Sequence, residues 1–166
     1  AVRRCRPEHL RALTSRLTAI GARVEADDGT LRVQAEGPLP AQDVATAPYP
    51  GFPTDLQAQW TALATSLDGI STITETIFEN RFHHVAELIR MGAKIRLEGR
   101  WAVVEGCPLT GANVMASDLR ASAALAIAAL TAEGRTVIDR VYHLDRGYVR
   151  MEEKLNALGA SVERVS

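Results

Sequence analysis

Met115-Ala116-Ser117-Asp118-Leu119-Arg120-Ala121-Ser122-Ala123-Ala124-Leu125-Ala126-Ile127-Ala128-Ala129-Leu130-Thr131-Ala132-Glu133-Gly134 reads as a helix with no wet face. Ser117 or Asp118 supplies the N-cap, and an acidic residue there complements the positive helix end. Gly134 supplies the stop. From Ala121 to Ala132 no residue is charged, and only Ser122 and Thr131 are polar. A surface helix would carry a charged face at a period of 3.6, so this one is expected to be buried on nearly all sides. Asp118 and Arg120 stand at its entrance. A buried helix needs no second charge there for stability, which makes the entrance a candidate place for chemistry.

The stretch has a twin. Thr54 to Gly69 has the same shape: a cap expected at Thr54, Asp55 in the first turn, small and apolar residues, then a terminal glycine. Setting Asp55 against Asp118 also brings Phe78-Glu79-Asn80-Arg81-Phe82 against Leu144-Asp145-Arg146-Gly147-Tyr148. Leu17 to Arg23, Leu88 to Lys94 and Leu155 to Ser161 share a helix, glycine, small-residue pattern that runs on into a strand. Recurrence of one such unit at a nearly fixed spacing is an internal repeat. The repeats fall at about 1–80 and 81–146, with the start of a third at 147–166.

Outward from the two buried helices, the chain alternates. Pro7-Glu8-His9 opens an amphipathic helix with Leu10, Leu13, Leu17 and Ile20 on one face and Gly21 as its stop. Ala22 to Glu25 and Thr30 to Ala35 flank Asp27-Asp28-Gly29 as a hairpin. Gln42 to Ala45 is a short strand. Pro48 to Pro53, with three prolines, stiffens the approach to the first buried helix. Ser71 to Thr76 alternates β-branched residues and reads as a strand. The second unit repeats this order: helix Phe82 to Met91, strands Lys94 to Leu97 and Trp101 to Glu105, a lead-in from Ala112 to Met115, and a closing strand from Thr136 to Arg140. The third begins with helix Val149 to Leu158 and strand Ser161 to Val165.

Composition bounds the rest. The chain has 166 residues, 46% hydrophobic and 23% charged, with a net charge of −1. That is a soluble globular composition with room for one core. Scattered Lys and Arg give no footprint for nucleic acid, and no apolar run approaches the roughly 20 residues of a membrane span. Cys5 and Cys107 are far apart and lack ligand spacing, so they read as reduced structural thiols of a cytoplasmic protein. The first residue is Ala1, which suggests a piece of a longer polypeptide.

Helices apolar all round require sheets outside them, with the amphipathic helices at the surface. If the buried helices run parallel, their positive N-termini converge on one surface suited to an anion such as phosphate. On residue type alone, Asp55 is only a first-turn charge, Arg120 an ion-pair partner of Asp118, and Arg146 a partner of Asp145.

Four motifs change those weights. Ala47-Pro48-Tyr49-Pro50-Gly51-Phe52-Pro53-Thr54-Asp55-Leu56-Gln57-Ala58-Gln59, Thr74-Glu75-Thr76-Ile77-Phe78-Glu79-Asn80-Arg81-Phe82, Ala116-Ser117-Asp118-Leu119-Arg120-Ala121-Ser122 and Tyr142-His143-Leu144-Asp145-Arg146-Gly147-Tyr148 resemble the enolpyruvyltransferases. The resemblance spans essentially the whole chain, and within the family it points to the branch acting on UDP-N-acetylglucosamine in peptidoglycan synthesis. It implies an α/β (α+β) fold: an inside-out barrel of βαβαββ units with buried central helices. The implied reaction transfers the enolpyruvyl group of phosphoenolpyruvate to the 3′-hydroxyl of UDP-N-acetylglucosamine and releases phosphate, with no metal or organic cofactor. The sister acceptor of the family is shikimate 3-phosphate.

By that resemblance Asp55 is the aspartate at the sugar hydroxyl, a general base at a helix entrance. Arg120 and Arg146 meet phosphoenolpyruvate, since a guanidinium fork suits carboxylate and phosphate. Asp118 is an active-site aspartate acting in proton transfer or in orienting an arginine. Ile77, through its backbone, and Arg81 lie near the nucleotide sugar. His143 reads as a packed loop histidine. The family's reactive cysteine loop, with a lysine and further arginines, belongs to an N-terminal domain that has no counterpart here, and neither Cys5 nor Cys107 matches it. The chain therefore resembles most of a C-terminal domain. Alone it is expected to be nearly inactive, or to be a half-protein that docks to a partner chain.

Overall fold

The computed structural model describes residues 1–165. The first unit runs β1 (Val2–Arg3), a 3₁₀ turn (Pro7–Leu10), α1 (Arg11–Ala19), β2 (Arg23–Asp27), β3 (Thr30–Gln34) and β4 (Val44–Ala45). A second 3₁₀ turn (Thr54–Leu56), α2 (Gln57–Ala64) and β5 (Ile70–Thr74) complete it. The next unit repeats the order as α3 (His83–Arg90), β6 (Lys94–Glu98), β7 (Trp101–Glu105), β8 (Asn113–Met115), α4 (Leu119–Ala129) and β9 (Val137–Asp139). Two short helices follow, α5 (Tyr142–Asp145) and α6 (Met151–Asn156).

The two hairpins share one register. Arg23 faces Gln34 and Asp27 faces Thr30, just as Lys94 faces Glu105 and Glu98 faces Trp101. At the first turn Asp28 and Gly29 both have positive φ, 35° and 70°, the twist a two-residue hairpin needs. The parallel pairs also correspond, β4 with β5 and β8 with β9, each closed across a central helix. The strands form sheets of order β1-β3-β2, β4-β5-β7-β6 and β8-β9.

Burial follows the composition of the helices. In α4, Ala121 to Ala126 and Ala128 are buried, and in α2 the buried residues are Gln57, Ala58, Trp60, Thr61, Ala62 and Ala64. The two helices pack on each other: Ala58 and Ala62 share a core cluster with Ala124, Leu125, Ala128, Leu88 and Met91. A second cluster packs Trp60, Ala64 and Leu67 against Val44, Ile73, Ala102 and Val104 of the sheet. Phe52 meets Trp60 edge to face with ring centres 5.5 Å apart. Small residues between α2 and α4 permit close approach, and each fully buried large side chain contributes about 1.5–3 kcal/mol.

Three expectations need correction. Thr54 does not cap α2: the 3₁₀ turn Thr54–Leu56 intervenes, and the helix begins after Leu56 without a side-chain cap. Ser161 to Val165 is not a strand; the backbone of Val162 is held instead by the Asn156 side chain. His143 lies in the helical turn α5 rather than in a loop, its ring 4.3 Å from that of Tyr142.

Candidate active site

The N-terminal ends of α2 and α4 meet, as their burial led one to expect. Asp55 sits in the 3₁₀ turn before α2 with its side chain 56% exposed. Arg120, in the first turn of α4, donates from Nε to Asp55 Oδ1 at 3.0 Å and from a terminal nitrogen to Oδ2 at 2.8 Å. This is the planar two-bond fork that arginine forms with carboxylates. Arg81 adds a third bond, to Asp55 Oδ1 at 2.9 Å. The Arg120 fork, with both positive charges, holds the Asp55 carboxyl below the usual range against the opposing pull of partial burial.

Asp118 does a different task. Its Oδ1 accepts the backbone N–H of Arg120 at 2.8 Å and of Ala121 at 2.9 Å, so it, and not Ser117, is the N-cap of α4. The simple ion pair of Arg120 with Asp118 is thus replaced by one with Asp55, and Asp118 is tied to the backbone that carries Arg120. Nearby His84 is buried, which lowers its pKa to about 4 against the attraction of the Asp118 charge. It is neutral at pH 7.

Arg81 has a second anchor. Its other terminal nitrogen donates to Thr54 Oγ1 at 3.0 Å, and its guanidinium lies 4.7 Å from the centre of the Phe78 ring. Thr54 Oγ1 in turn donates to Glu75 Oε2 at 2.8 Å. Ile77 is 37% exposed, and its backbone N–H donates to Glu75 Oε1 at 2.8 Å. A ligand contact through the Ile77 backbone therefore falls to its carbonyl.

Arg146 is exposed at the end of α5 and makes no ion pair or side-chain hydrogen bond among the described residues. Its expected partner Asp145 is taken by Arg164, through bonds of 2.9 and 2.7 Å. The residues after Arg146 abut the cluster. A side chain at Gly147 would stand 2.8 Å from Leu119 of α4, and Tyr148 Oη accepts from Gln59 Nε2 of α2 at 3.2 Å. Asp55, Arg81, Arg120 and Asp118 are thus brought together, with Arg146 on a segment packed beside them.

Glu75 is the member that sequence reasoning passes over. The signal was present: in Ser71 to Thr76, residues 71, 73 and 75 share one face, and a charge on an inward face of a β-branched strand needs partners. Cys5 and Cys107 play no part; each thiol contacts a backbone carbonyl, of Gly29 and Gly92 respectively. No three His, Cys, Asp or Glu side chains are grouped as metal ligands among the described residues. A concavity of about 800 Å³ between α1 and the β2–β3 hairpin contains none of the cluster.

Comparison with known proteins shows the family to which the chain belongs. The family model of EPSP synthase (3-phosphoshikimate 1-carboxyvinyltransferase) matches residues 1–155. UDP-N-acetylglucosamine 1-carboxyvinyltransferase of Koribacter versatilis is 56% identical over 99% of this chain and 38% of its own length. The enzyme of that name from Xylella fastidiosa is 53% identical over 100% of this chain and 40% of its own. The crystal structure of the enolpyruvyl transferase NikO from Streptomyces tendae superposes with a TM-score of 0.85 at 30% identity, covering 93% of this chain and 36% of that one. EPSP synthase from Acinetobacter baumannii shares the fold at a TM-score of 0.70 and 17% identity, over 93% of this chain and 37% of its own. The chain spans about two fifths of the length of the curated relatives it matches. With the family model matching residues 1–155, the chain belongs to the EPSP synthase family of enolpyruvyltransferases.

Proposed function

We propose that this chain forms most of the C-terminal domain of an enzyme that transfers the enolpyruvyl group of phosphoenolpyruvate to the 3′-hydroxyl of UDP-N-acetylglucosamine, releasing phosphate. The observation that carries the reading is the clamp of Asp55 between Arg81 and Arg120. A carboxylate held by two guanidinium groups is a poor base, because those groups stabilise its charged form. Substrates that claim the arginines convert it into a better one. The phosphate or carboxylate of phosphoenolpyruvate draws Arg120 away, the nucleotide sugar draws Arg81, and the pKa of Asp55 rises toward its ordinary value beside the hydroxyl. The hydroxyl oxygen bonds to the phosphate-bearing carbon of phosphoenolpyruvate and gives its proton to Asp55. The bond from that carbon to the phosphate oxygen breaks, and the phosphate leaves with the electron pair and takes up the proton, so the product keeps the double bond. Arg146, free of any partner among the described residues, adds positive charge for the phosphoenolpyruvate anion.

Asp118 acts by orienting Arg120 through the backbone. The identities of 53–56% with relatives named for UDP-N-acetylglucosamine favour that acceptor over shikimate 3-phosphate. The remainder of the polypeptide supplies the other half of the site. Without it, little of the positioning advantage of a closed two-domain cleft remains, so the isolated chain turns over poorly.

The test is phosphate release by the complete polypeptide with phosphoenolpyruvate and each acceptor. Release dependent on UDP-N-acetylglucosamine, reduced at least a hundredfold in Asp55→Ala, is expected from the size of general-base effects. Release with shikimate 3-phosphate alone would move the chain to the sister activity. Full release in Asp55→Ala would remove Asp55 as the base.

A further inference from the structure

Glu75 is 1% exposed, yet it pairs with no cation among the described residues. Four neutral donors surround it instead. Oε1 accepts from Thr46 Oγ1 at 2.9 Å, from the Ile77 N–H at 2.8 Å and from the Phe78 N–H at 3.1 Å, and Oε2 accepts from Thr54 Oγ1 at 2.8 Å. A buried carboxylate without a counter-ion is costly unless its lone pairs are filled, as they are here.

The arrangement does more than satisfy a charge. A carboxylate only accepts, so each threonine hydroxyl must spend its single proton on Glu75. Their own lone pairs are then left to face outward. Thr46 Oγ1 receives the Thr76 N–H at 2.8 Å, and Thr54 Oγ1 receives Arg81 at 3.0 Å. One carboxylate thereby fixes both ends of the Thr76 to Arg81 segment, directly through two backbone amides and indirectly through two hydroxyls. Burial opposes the charge, but the bonds from Ile77, Thr54, Phe78 and Thr46 outweigh it and hold the carboxyl below its usual range.

We propose that Glu75 is a positioning residue for the acceptor: it sets the direction of the relay from Arg81 through Thr54 and aims Arg81 and the Ile77 carbonyl at the nucleotide sugar. This role rests on the acceptor reading of Arg81 and Asp55 given above. Phosphoenolpyruvate depends on Arg120 and Arg146, neither of which hangs from Glu75. The role is thus specific to one of the two substrates.

Glu75→Gln is the informative variant, because it keeps size and most contacts but presents an NH2 where Thr54 needs an acceptor. Thr54 can then no longer donate there, so its proton is released and the direction of the relay toward Arg81 is no longer fixed. In the complete polypeptide, the KM for UDP-N-acetylglucosamine is expected to rise at least tenfold, with the KM for phosphoenolpyruvate changed less than twofold. Thr54→Val, which keeps the shape and removes the hydroxyl, should reproduce the split. Combining the two should add little to either alone, since both cut one relay. An unchanged nucleotide-sugar KM in Thr54→Val, or equal rises in both KM values in Glu75→Gln, would overturn the role of Glu75. Absence of wild-type turnover with UDP-N-acetylglucosamine would instead overturn the reading on which both rest.

Discussion

Asp118 offers the sharpest separation of a scaffold role from a chemical one. Replacing it with alanine removes two bonds, to the N–H groups of Arg120 and Ala121, from the start of α4. Loss of an N-cap costs typically about 1 kcal/mol and up to about 2. Loss of a negative charge at a helix N-terminus adds about 0.3–1 kcal/mol. Seven of the eleven residues of α4 are buried, so the helix cannot relieve the loss by fraying into water. The combined cost is about 2 kcal/mol. Asparagine caps as well as aspartate, so Asp118→Asn loses only the charge contribution, under about 1 kcal/mol.

The assay pairs urea unfolding of the complete polypeptide with phosphate release. Asp118→Ala should lower the unfolding free energy by about 2 kcal/mol, read as a lower urea midpoint at an unchanged m-value, and Asp118→Asn by less than half of that. Turnover should follow the same order, because what suffers is the placement of Arg120. If both variants unfold like the wild type and lose turnover equally, the capping argument is wrong and the carboxylate itself moves a proton.

Two further predictions test other parts of the cluster. Arg146 has no partner to lose among the described residues, so Arg146→Ala should change stability by less than about 0.5 kcal/mol while raising the KM for phosphoenolpyruvate; the same urea and kinetic measurements check both halves. Asp55 and Glu75 both have pKa values depressed by the fold. Each therefore contributes stability above its unfolded value, near pH 4, and loses that contribution as pH falls through its folded one. Acid titration of Asp55→Asn and Glu75→Gln should show a shallower loss of stability below about pH 4 than the wild type; parallel curves would mean that neither carboxylate is held by its partners as described.

What the sequence makes legible is whatever depends on local spacing. The uncharged run from Ala121 to Ala132 gives the burial of α4, Asp27-Asp28-Gly29 gives the first hairpin, and Gly21 and Gly92, at φ of 96° and 92°, end the two outer helices. What it hides depends on distance along the chain. Arg120 has an acidic neighbour two residues away, and local reasoning pairs them. The fold instead brings Asp55, 65 residues earlier, against its guanidinium. Thr54 fails as a cap for the same reason, since the guanidinium of Arg81, 27 residues on, donates to its oxygen instead of a helix N–H. Asp145 is claimed from 19 residues away by Arg164. Each miss is a polar group whose partner a tertiary contact selects.

The repeat explains why only one of the two aspartates is available for the proposed chemistry. Asp55 and Asp118 hold equivalent places before α2 and α4, yet only Asp118 accepts helix N–H bonds. In the second unit the helix starts directly after the aspartate, so the carboxylate folds back onto the backbone and is used up. In the first unit the 3₁₀ turn Thr54–Leu56 intervenes and the helix begins later, so Asp55 points away from the helix end and toward two arginines. Glu75 accepts from the Thr54 hydroxyl of that same turn. One structural unit, used twice, therefore yields a carboxylate bound to its own helix and, in the role proposed for Asp55, a carboxylate turned toward the substrates' side of the cluster. The difference between them is three residues of 3₁₀ turn.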